Sequence, residues 1–280
     1  MNRPAFSLLA GIVLAAQLVS NPPAFCTAPP VPAYQFLPAR EVKPAGWIKE
    51  QMVEDLRDGI AGHYDEFSAN VSQNLFVTKL RDPKVKVPSE RQVEASWWAG
   101  EHEGYWMDGF VRQAFLTGSK PAMEKARQKI EAIVAAQDPD GYIGIYTKET
   151  RLPLNKEQDA ELWTQSRMFA AMLAYYEFTG DKKVLAAVEK AVQRTLAAYK
   201  GAGHSYFARS TSLRAGIPHG IAFSDTLEQL YRLTGNPVYG EDEVWLYTDF
   251  SNGLPKSDTS LESLSEANNC LLYTSPSPRD

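Results

Sequence analysis

The sequence predicts an all-α protein built from long helical hairpins, arranged as an α/α toroid. One pattern occurs three times in the 280 residues: a helix, a Thr-Gly turn and a second helix. The turn glycines are Gly118, Gly180 and Gly235, so the repeat is about 55–60 residues long. Common solenoid repeats are shorter, about 34–47 residues. Because a helical hairpin buries its apolar face only against its neighbours, long hairpins with polar loops at one end favour a toroid.

The two ends of the chain are expected to lie outside this toroid. Residues 1–28 combine Arg3 with an apolar run and small residues near the end, which predicts a signal peptide and a secreted or periplasmic protein. After cleavage, no stable membrane insertion is expected. Residues 270–280 (CLLYTSPSPRD) resemble the translation of a common sequencing adapter and are expected to be a non-native tail. Cys26 and Cys270, the two cysteines of the sequence, both lie in these ends. No disulfide or cysteine metal site is therefore predicted for residues 29–269.

Between the ends, a proline-rich lead-in precedes the hairpins. Residues 29–45 are expected to be extended, and residues 82–88 (DPKVKVP) to form a loop. In WIKEQMVEDLRDGI, which follows Gly46, apolar residues recur at spacings of three and four, so a helix is predicted there. In WWAGEHEGYWMDGF, a loop is predicted to lead into a helix that runs from about Tyr105 to Leu116.

The three turns have the chemistry of helix ends. A glycine adopts the left-handed conformation that often follows a helix, and Ser119, Asp181 or Asn236 can cap the helix that comes next. Residues 46–269 hold about four such hairpins, whereas a closed ring of six would need about 330 residues. We therefore expect a partial α/α-barrel domain, truncated after about four hairpins.

Polar, aromatic-rich segments between the hairpins predict a carbohydrate site. The net charge of −5 does not suggest a nucleic-acid partner. Sugars present apolar C–H faces that stack on aromatic rings, and their hydroxyls need oriented donors and acceptors. The predicted substrate-binding residues are Glu101, His102, Trp106, Asp140, Tyr142, Glu161, Trp163 and His219.

The stretch around His102 does not contain two more specific catalytic motifs. A zinc-protease helix needs H-E-x-x-H, and the stretch around His102 has no second histidine nearby. Glu101 and Glu103 would point to opposite sides of a helix, whereas glycosidase carboxylates face each other across a sugar. A catalytic carboxylate pair is therefore expected to be split between segments.

Four segments follow one another along the chain: GEHEGYWMDG, AIVAAQDPDGYIGIY, ELWTQSRMFAAMLAYYEFTGDKKVLAAVEKAV and HGIAFSDTLEQLYRLTGNPVY. In this order they resemble the catalytic domain of the β-L-arabinofuranosidase family, glycoside hydrolase family 127, and the resemblance spans about residues 46–247. The resemblance implies an (α/α)6 barrel followed by β-sandwich domains, which this sequence lacks. It also implies retaining hydrolysis of terminal L-arabinofuranose, or a related sugar, from plant-type glycans.

The resemblance further implies a cysteine nucleophile held on zinc by other cysteines and a glutamate, with a second glutamate as acid/base. A zinc ion lowers the pKa of a bound thiol and keeps it ionised. These catalytic residues are expected beyond residue 269, so no metal ligand is assigned in this sequence and the chain alone is expected to be poorly soluble and inactive. Ser166 stands where the resemblance implies a sugar-binding histidine in some members of the family. Because of this difference, the identity of the sugar is left open.

Two other functions stay open on the residues alone. Another α/α-toroid carbohydrate enzyme, an unsaturated-uronyl hydrolase or a sugar epimerase, would use Asp140 or His219 as its catalytic group. A helical-repeat scaffold that binds a protein partner would show scattered charge on a concave face and no clustering of aromatic residues.

Overall fold

The computed structural model describes residues 36–79, 97–151, 160–209 and 216–253. These residues form α-helices, short 3-10 turns and no β-strand, which confirms the all-α prediction. The helices are α1 (Gly46–Asp58), α2 (Ile60–Phe67), α3 (Ala69–Ser72), α4 (Leu75–Thr78), α5 (Trp97–Thr117), α6 (Lys120–Ala135), α7 (Glu161–Thr179), α8 (Lys182–Lys200), α9 (Gly216–His219), α10 (Phe223–Thr234) and α11 (Val238–Gly253). The 3-10 turns are Ala39–Glu41, Phe207–Arg209 and Gly220–Ala222.

The helices pack in the two layers expected of an α/α toroid. The first helices of successive hairpins lie side by side, with α5 against α7 and α7 against α10. The second helices α6, α8 and α11 each pack on the first helix of their own hairpin, and α6 also contacts α8. At the N-terminal side, α1 contacts α2 and α5. Helix α7 is the centre of the core, since 13 of its 19 residues are buried.

The three Thr-Gly turns are left-handed, as predicted. Gly118, Gly180 and Gly235 have φ angles of +71°, +71° and +68°. The amide of Gly180 donates to the carbonyl of Tyr176 at 2.7 Å, and that of Gly235 to the carbonyl of Tyr231 at 2.8 Å. These bonds satisfy carbonyl groups that a helix C-terminus otherwise leaves unpaired.

The predicted caps hold at two of the three turns. The Asp181 carboxylate accepts the amide of Lys183 at 2.9 Å, and the Asn236 side chain accepts the amide of Val238 at 3.2 Å. The prediction for Ser119 is wrong, because its side chain makes no capping bond. The donor in both working caps lies two residues after the cap. Two residues after Ser119 stands Pro121, which has no N–H to donate.

This difference predicts unequal effects of two matched substitutions. Asp181→Ala should lower the free energy of unfolding by about 1 kcal/mol, because a capping bond is lost. Ser119→Ala should change it by less than about 0.5 kcal/mol, because no such bond exists there. Urea unfolding followed by circular dichroism measures both. Equal losses at the two sites would contradict the assignment of the caps.

Helix α5 is longer than predicted. The stretch WWAGEHEGYWMDGF is helical throughout, so the predicted loop before Tyr105 is wrong. Within this helix, Gly100 and Gly104 serve close packing. A Cβ atom added at Gly104 would lie 2.6 Å from the Cβ of Arg167 and 2.9 Å from the amide nitrogen of Met168. The two helices approach each other where α5 has no side chain.

Helix α1 begins at Gly46, as predicted, but the described residues cover its apolar side only in part, mainly at Leu56. No residue of α1 is buried, and Trp47 is 71% exposed. The lead-in is not wholly extended, since Ala39–Glu41 form a 3-10 turn. The predicted signal peptide, the loop at 82–88 and the adapter-like tail lie outside the described residues.

Within the described residues, no helix is both long enough and apolar enough to cross a membrane.

Candidate functional site

Four of the eight predicted site residues come together where α5, α7 and α9 meet. Glu101 and His102 lie on α5, Trp163 lies in the first turn of α7, and His219 ends α9. The ring centres of Trp163 and His219 are 5.1 Å apart, with the planes tilted by 37°. The Glu101 carboxylate lies beside the Trp163 indole, although the indole N–H makes no hydrogen bond of standard geometry to a described residue.

Helical spacing adds two further side chains to this group, which we call the sugar cluster. Tyr105 follows Glu101 by four residues on α5, and Arg167 follows Trp163 by four on α7, so each pair shares a helix face. The Tyr105 ring meets the Trp163 ring edge to face at 5.9 Å. The Arg167 guanidinium carbon lies 5.0 Å from the Trp163 ring centre and 5.4 Å from that of Tyr105.

The ionisable groups of the sugar cluster are perturbed by burial. Burial raises the pKa of Glu101, and the neighbouring Trp163, His102 and Arg167 oppose that rise. Burial lowers the pKa of His219, so its imidazole is neutral at neutral pH. The Asn70 amide lies 3.0 Å from Nδ1 of His102 and donates to it, which leaves the N–H on Nε2.

Arg167 is anchored by three polar contacts. Its Nη2 donates to the Asp225 carboxylate at 2.8 Å and to the carbonyl of Ala222 at 3.4 Å. Its Nε donates to the hydroxyl of Ser166 at 3.2 Å, and that hydroxyl donates to the carbonyl of Trp163 at 2.7 Å. Ser166 therefore supports Arg167.

Trp106 lies on another side of α5, in the core. Its indole N–H donates to the carbonyl of Ala61 at 3.0 Å, and its ring stacks on Phe110 at 5.2 Å. The indole is 7% exposed. In this structure Trp106 fixes α2 against α5.

Tyr142 and Glu161 belong to a buried network, and neither is exposed. The hydroxyl of Tyr199 donates to the Glu161 carboxylate at 3.0 Å, and the amide of Tyr146 donates to the Tyr142 hydroxyl at 3.3 Å. Burial raises the pKa of Tyr142 well above its usual value, and the nearby Glu161 adds to this effect. The network joins α7, α8 and the segment before α7.

Asp140 occupies a turn and is held by two cations. Its carboxylate pairs with Arg151 at 2.7 Å and with Arg194 at 3.0 Å, and accepts the Tyr142 amide at 3.3 Å. Partial burial acts to raise its pKa, but the hydrogen bonds and the two arginines lower it overall. Gly141 has a φ of +101°, so the predicted Asp-Gly turn is present.

The structure therefore brings Glu101, Trp163 and His219 together, with His102 next to Glu101 on α5. The other four residues, Trp106, Tyr142, Glu161 and Asp140, make their contacts elsewhere. The role of all eight in binding sugar stays a prediction. Sequence reasoning missed Arg167 and its partner Asp225. The i, i+4 spacing from Trp163 to Arg167 was the available signal, whereas the contact with Asp225 joins residues 58 apart in the chain.

The described residues do not offer a metal site. Among them, no group of three His, Cys, Asp or Glu side chains is placed to hold an ion, and none of them is a cysteine.

Comparison with known proteins identifies the family. A profile of the β-L-arabinofuranosidase GH127 catalytic domain matches residues 34–242, most of the chain. Neither the curated proteins nor the solved structures give a significant match. The matched range includes the sugar cluster and the three hairpin turns. The all-helical hairpins agree with the (α/α)6 barrel of this family, and the chain therefore belongs to the GH127 β-L-arabinofuranosidase family of glycosidases.

Proposed function

We propose that this glycosidase removes terminal L-arabinofuranosyl, or closely related, residues from plant-type glycans with retention of configuration. We also propose that it works outside the cytoplasm, in a secreted or periplasmic form, because residues 1–28 have the pattern of a signal peptide. Family membership supports the carbohydrate substrate.

The observation that carries the proposal is the sugar cluster. Tyr105, which is 45% exposed, supplies the accessible aromatic surface, while Trp163 is 7% exposed, and Glu101 and His219 lie beside the Trp163 indole. A furanose has an apolar face that stacks on such a ring, while its hydroxyls accept from and donate to the polar groups around it. This combination suits one small sugar unit.

Each polar group has a distinct part in holding that unit. Glu101 accepts hydrogen bonds from sugar hydroxyls when ionised and can donate one when protonated. Neutral His219 both donates and accepts, because one ring nitrogen of an uncharged imidazole carries the proton. His102, fixed by Asn70, offers its Nε2–H as a donor.

Zinc and a cysteine nucleophile remain proposals that rest on the family resemblance. Bound zinc would keep a thiol ionised and nucleophilic. The described residues do not fit such a site, because they include no cysteine and no group of three ligands. A zinc site in this protein would therefore need ligands outside the described residues.

Family membership favours this function over the two alternatives. A uronyl hydrolase or epimerase was expected to use Asp140 or His219 as its catalytic group. Asp140 is committed to ion pairs with Arg151 and Arg194, which suits a structural carboxylate. The aromatic and acidic residues gathered around Trp163 also differ from the scattered charge expected of a protein-binding scaffold.

Binding of a small sugar to the whole 280-residue chain tests the proposal. Saturation-transfer NMR with methyl β-L-arabinofuranoside should show contact with the protein, and Trp163→Ala should weaken binding at least about tenfold, because the indole against which Tyr105, His219 and Arg167 pack is lost. Trp47→Ala is the matched control, because Trp47 is an exposed tryptophan on α1. Circular dichroism confirms that each variant remains helical.

Three outcomes would count against the proposal. The first is binding only of an unsaturated uronide, which would favour the alternative enzyme class. The second is binding of neither sugar by the wild-type chain. The third is equal weakening by the Trp163 and Trp47 substitutions, which would remove the sugar cluster from the binding site.

A further inference from the structure

Arg167 has hydrogen-bonding capacity that the described residues do not use. A guanidinium carries five N–H donors. Nε is taken by Ser166, and Nη2 by Asp225 and Ala222. The two N–H groups of Nη1 make no hydrogen bond to any residue in the part of the chain that the structure describes. They remain available to an acceptor on a ligand.

The position of this guanidinium is fixed before any ligand arrives. It lies against the rings of Trp163 and Tyr105, at 5.0 and 5.4 Å from their centres. Its side chain is only 15% exposed. Gly104 leaves the space that the Cβ of Arg167 fills. A donor held in this way loses little conformational freedom when it binds a ligand.

The positive charge of Arg167 is already compensated. Asp225 forms an ion pair with it at 2.8 Å, and Glu101 is close enough for Arg167 to lower the pKa of that carboxyl group. Burial raises the pKa of Glu228, Arg232 opposes that rise, and Asp225 adds to it. Asp225 and Glu101 therefore place two carboxyl groups beside the one guanidinium of the sugar cluster.

A neutral sugar and an acidic sugar would interact differently with Arg167 and the carboxyl groups beside it. Hydroxyl oxygens accept from Nη1 and bring no charge of their own. A carboxylate would gain little from an arginine that is already paired, and it would be repelled by Asp225 and Glu101. Charges within a few ångströms interact strongly enough to change affinity about tenfold, even at an effective dielectric constant of about 20.

Given the proposed function, we propose that the Arg167–Asp225 pair determines specificity at the sugar cluster. Arg167 donates through Nη1 to hydroxyl oxygens of a neutral pentofuranose, and Asp225 makes the site reject sugars that carry a carboxylate.

The test compares two ligands that differ only at C5. One is methyl β-L-arabinofuranoside, and the other is its analogue with the primary hydroxyl oxidised to a carboxylate. NMR titration of the whole chain at low salt gives a dissociation constant for each. The wild type should prefer the neutral sugar by about tenfold or more. Asp225→Asn should reduce that preference at least about fivefold, mainly through tighter binding of the acid.

Two further variants separate charge from position. Asp58→Asn removes the same charge from an exposed pair with Arg57 and should leave the preference unchanged. Arg167→Lys keeps the positive charge but removes the planar guanidinium and its Nη1 donors. It should therefore weaken binding of the neutral sugar about tenfold. Thermal unfolding of each variant confirms that it is folded.

The outcomes distinguish this inference from the proposed function. If the wild type binds neither sugar, the proposed function fails and the specificity inference fails with it. If the wild type binds the arabinofuranoside but Asp225→Asn leaves the preference unchanged, only the specificity inference is overturned. A preference that also falls in Asp58→Asn would point to overall charge and would overturn it as well.

Discussion

Replacing Gly104 by alanine is expected to lower the free energy of unfolding by at least about 2 kcal/mol, because α5 and α7 pack directly on each other there. The added Cβ would lie 2.6 Å from the Cβ of Arg167 and 2.9 Å from backbone atoms of Arg167 and Met168. Backbone atoms of a buried helix cannot move aside as the end of a flexible side chain can. The helices would have to separate, and buried contacts of both would be lost.

Gly109 provides the matched control on the same helix. It is exposed, and a Cβ atom added there meets nothing within 4 Å. Gly109→Ala should therefore raise the free energy of unfolding by about 0.5–1 kcal/mol, because alanine is the better helix former. Chemical denaturation of the two variants measures both effects. A Gly104→Ala variant that is as stable as Gly109→Ala would contradict the close contact of the helices.

Raising the pH from about 5 to about 8 is expected to destabilise the protein through Glu103. This carboxyl group is 2% exposed, and its Oε2 accepts the amide of Leu75 at 2.8 Å. Burial raises its pKa from 4.5 to about 8, although that hydrogen bond and the charge of Lys129 oppose the rise. The folded protein therefore keeps a proton on Glu103 at pH values where the unfolded chain has released it.

The sign follows from that difference in proton binding. The stabilisation is fully present below the unfolded pKa of 4.5 and is lost as the pH rises through the folded pKa of about 8. Since one pKa unit corresponds to about 1.4 kcal/mol, Glu103 alone can account for up to about 5 kcal/mol over this range. From about one unit above the folded pKa, its contribution no longer changes.

Glu103→Gln isolates this contribution from those of other groups. Glutamine keeps the shape and the acceptor oxygen but does not titrate, so the free energy of unfolding should lose most of its decline between pH 5 and pH 8. Glu50→Gln, an exposed substitution on α1, should keep the wild-type profile. Urea unfolding at pH 5, 6.5, 8 and 9 supplies the data. Parallel profiles for the wild type and Glu103→Gln would rule out Glu103 as the source.

The sequence predicted local features of the fold well and long-range contacts poorly. The turns at Gly118, Gly180 and Gly235 depend on a few neighbouring residues, and the φ angles confirm them. Ser119 failed as a cap because of Pro121, which was visible two positions away. The glycines of α5 could not be interpreted locally, because the reason for Gly104 is Arg167, a residue on another helix.

The site shows the same division. Glu101 and Glu103 point in different directions, as their spacing on a helix requires, and Glu103 reaches α4 while Glu101 reaches Trp163. Trp106 is of a residue type that often binds sugars, yet its indole packs in the core, where it contacts Ala61 and Phe110. Trp106 and Trp163 are equally buried, each 7% exposed, so they differ in their neighbours and not in burial. Those neighbours depend on tertiary packing that residue type does not reveal.

The contact at Gly104 also bears on how this protein tolerates mutation. Helix α5 carries Glu101 and Tyr105, helix α7 carries Trp163 and Arg167, and the distance between the helices is set where Gly104 meets Arg167. Folding and ligand recognition thus place the same demand on one position. A random library screened only for soluble, folded protein would retain the spacing of the sugar cluster, although no sugar was ever present during the screen.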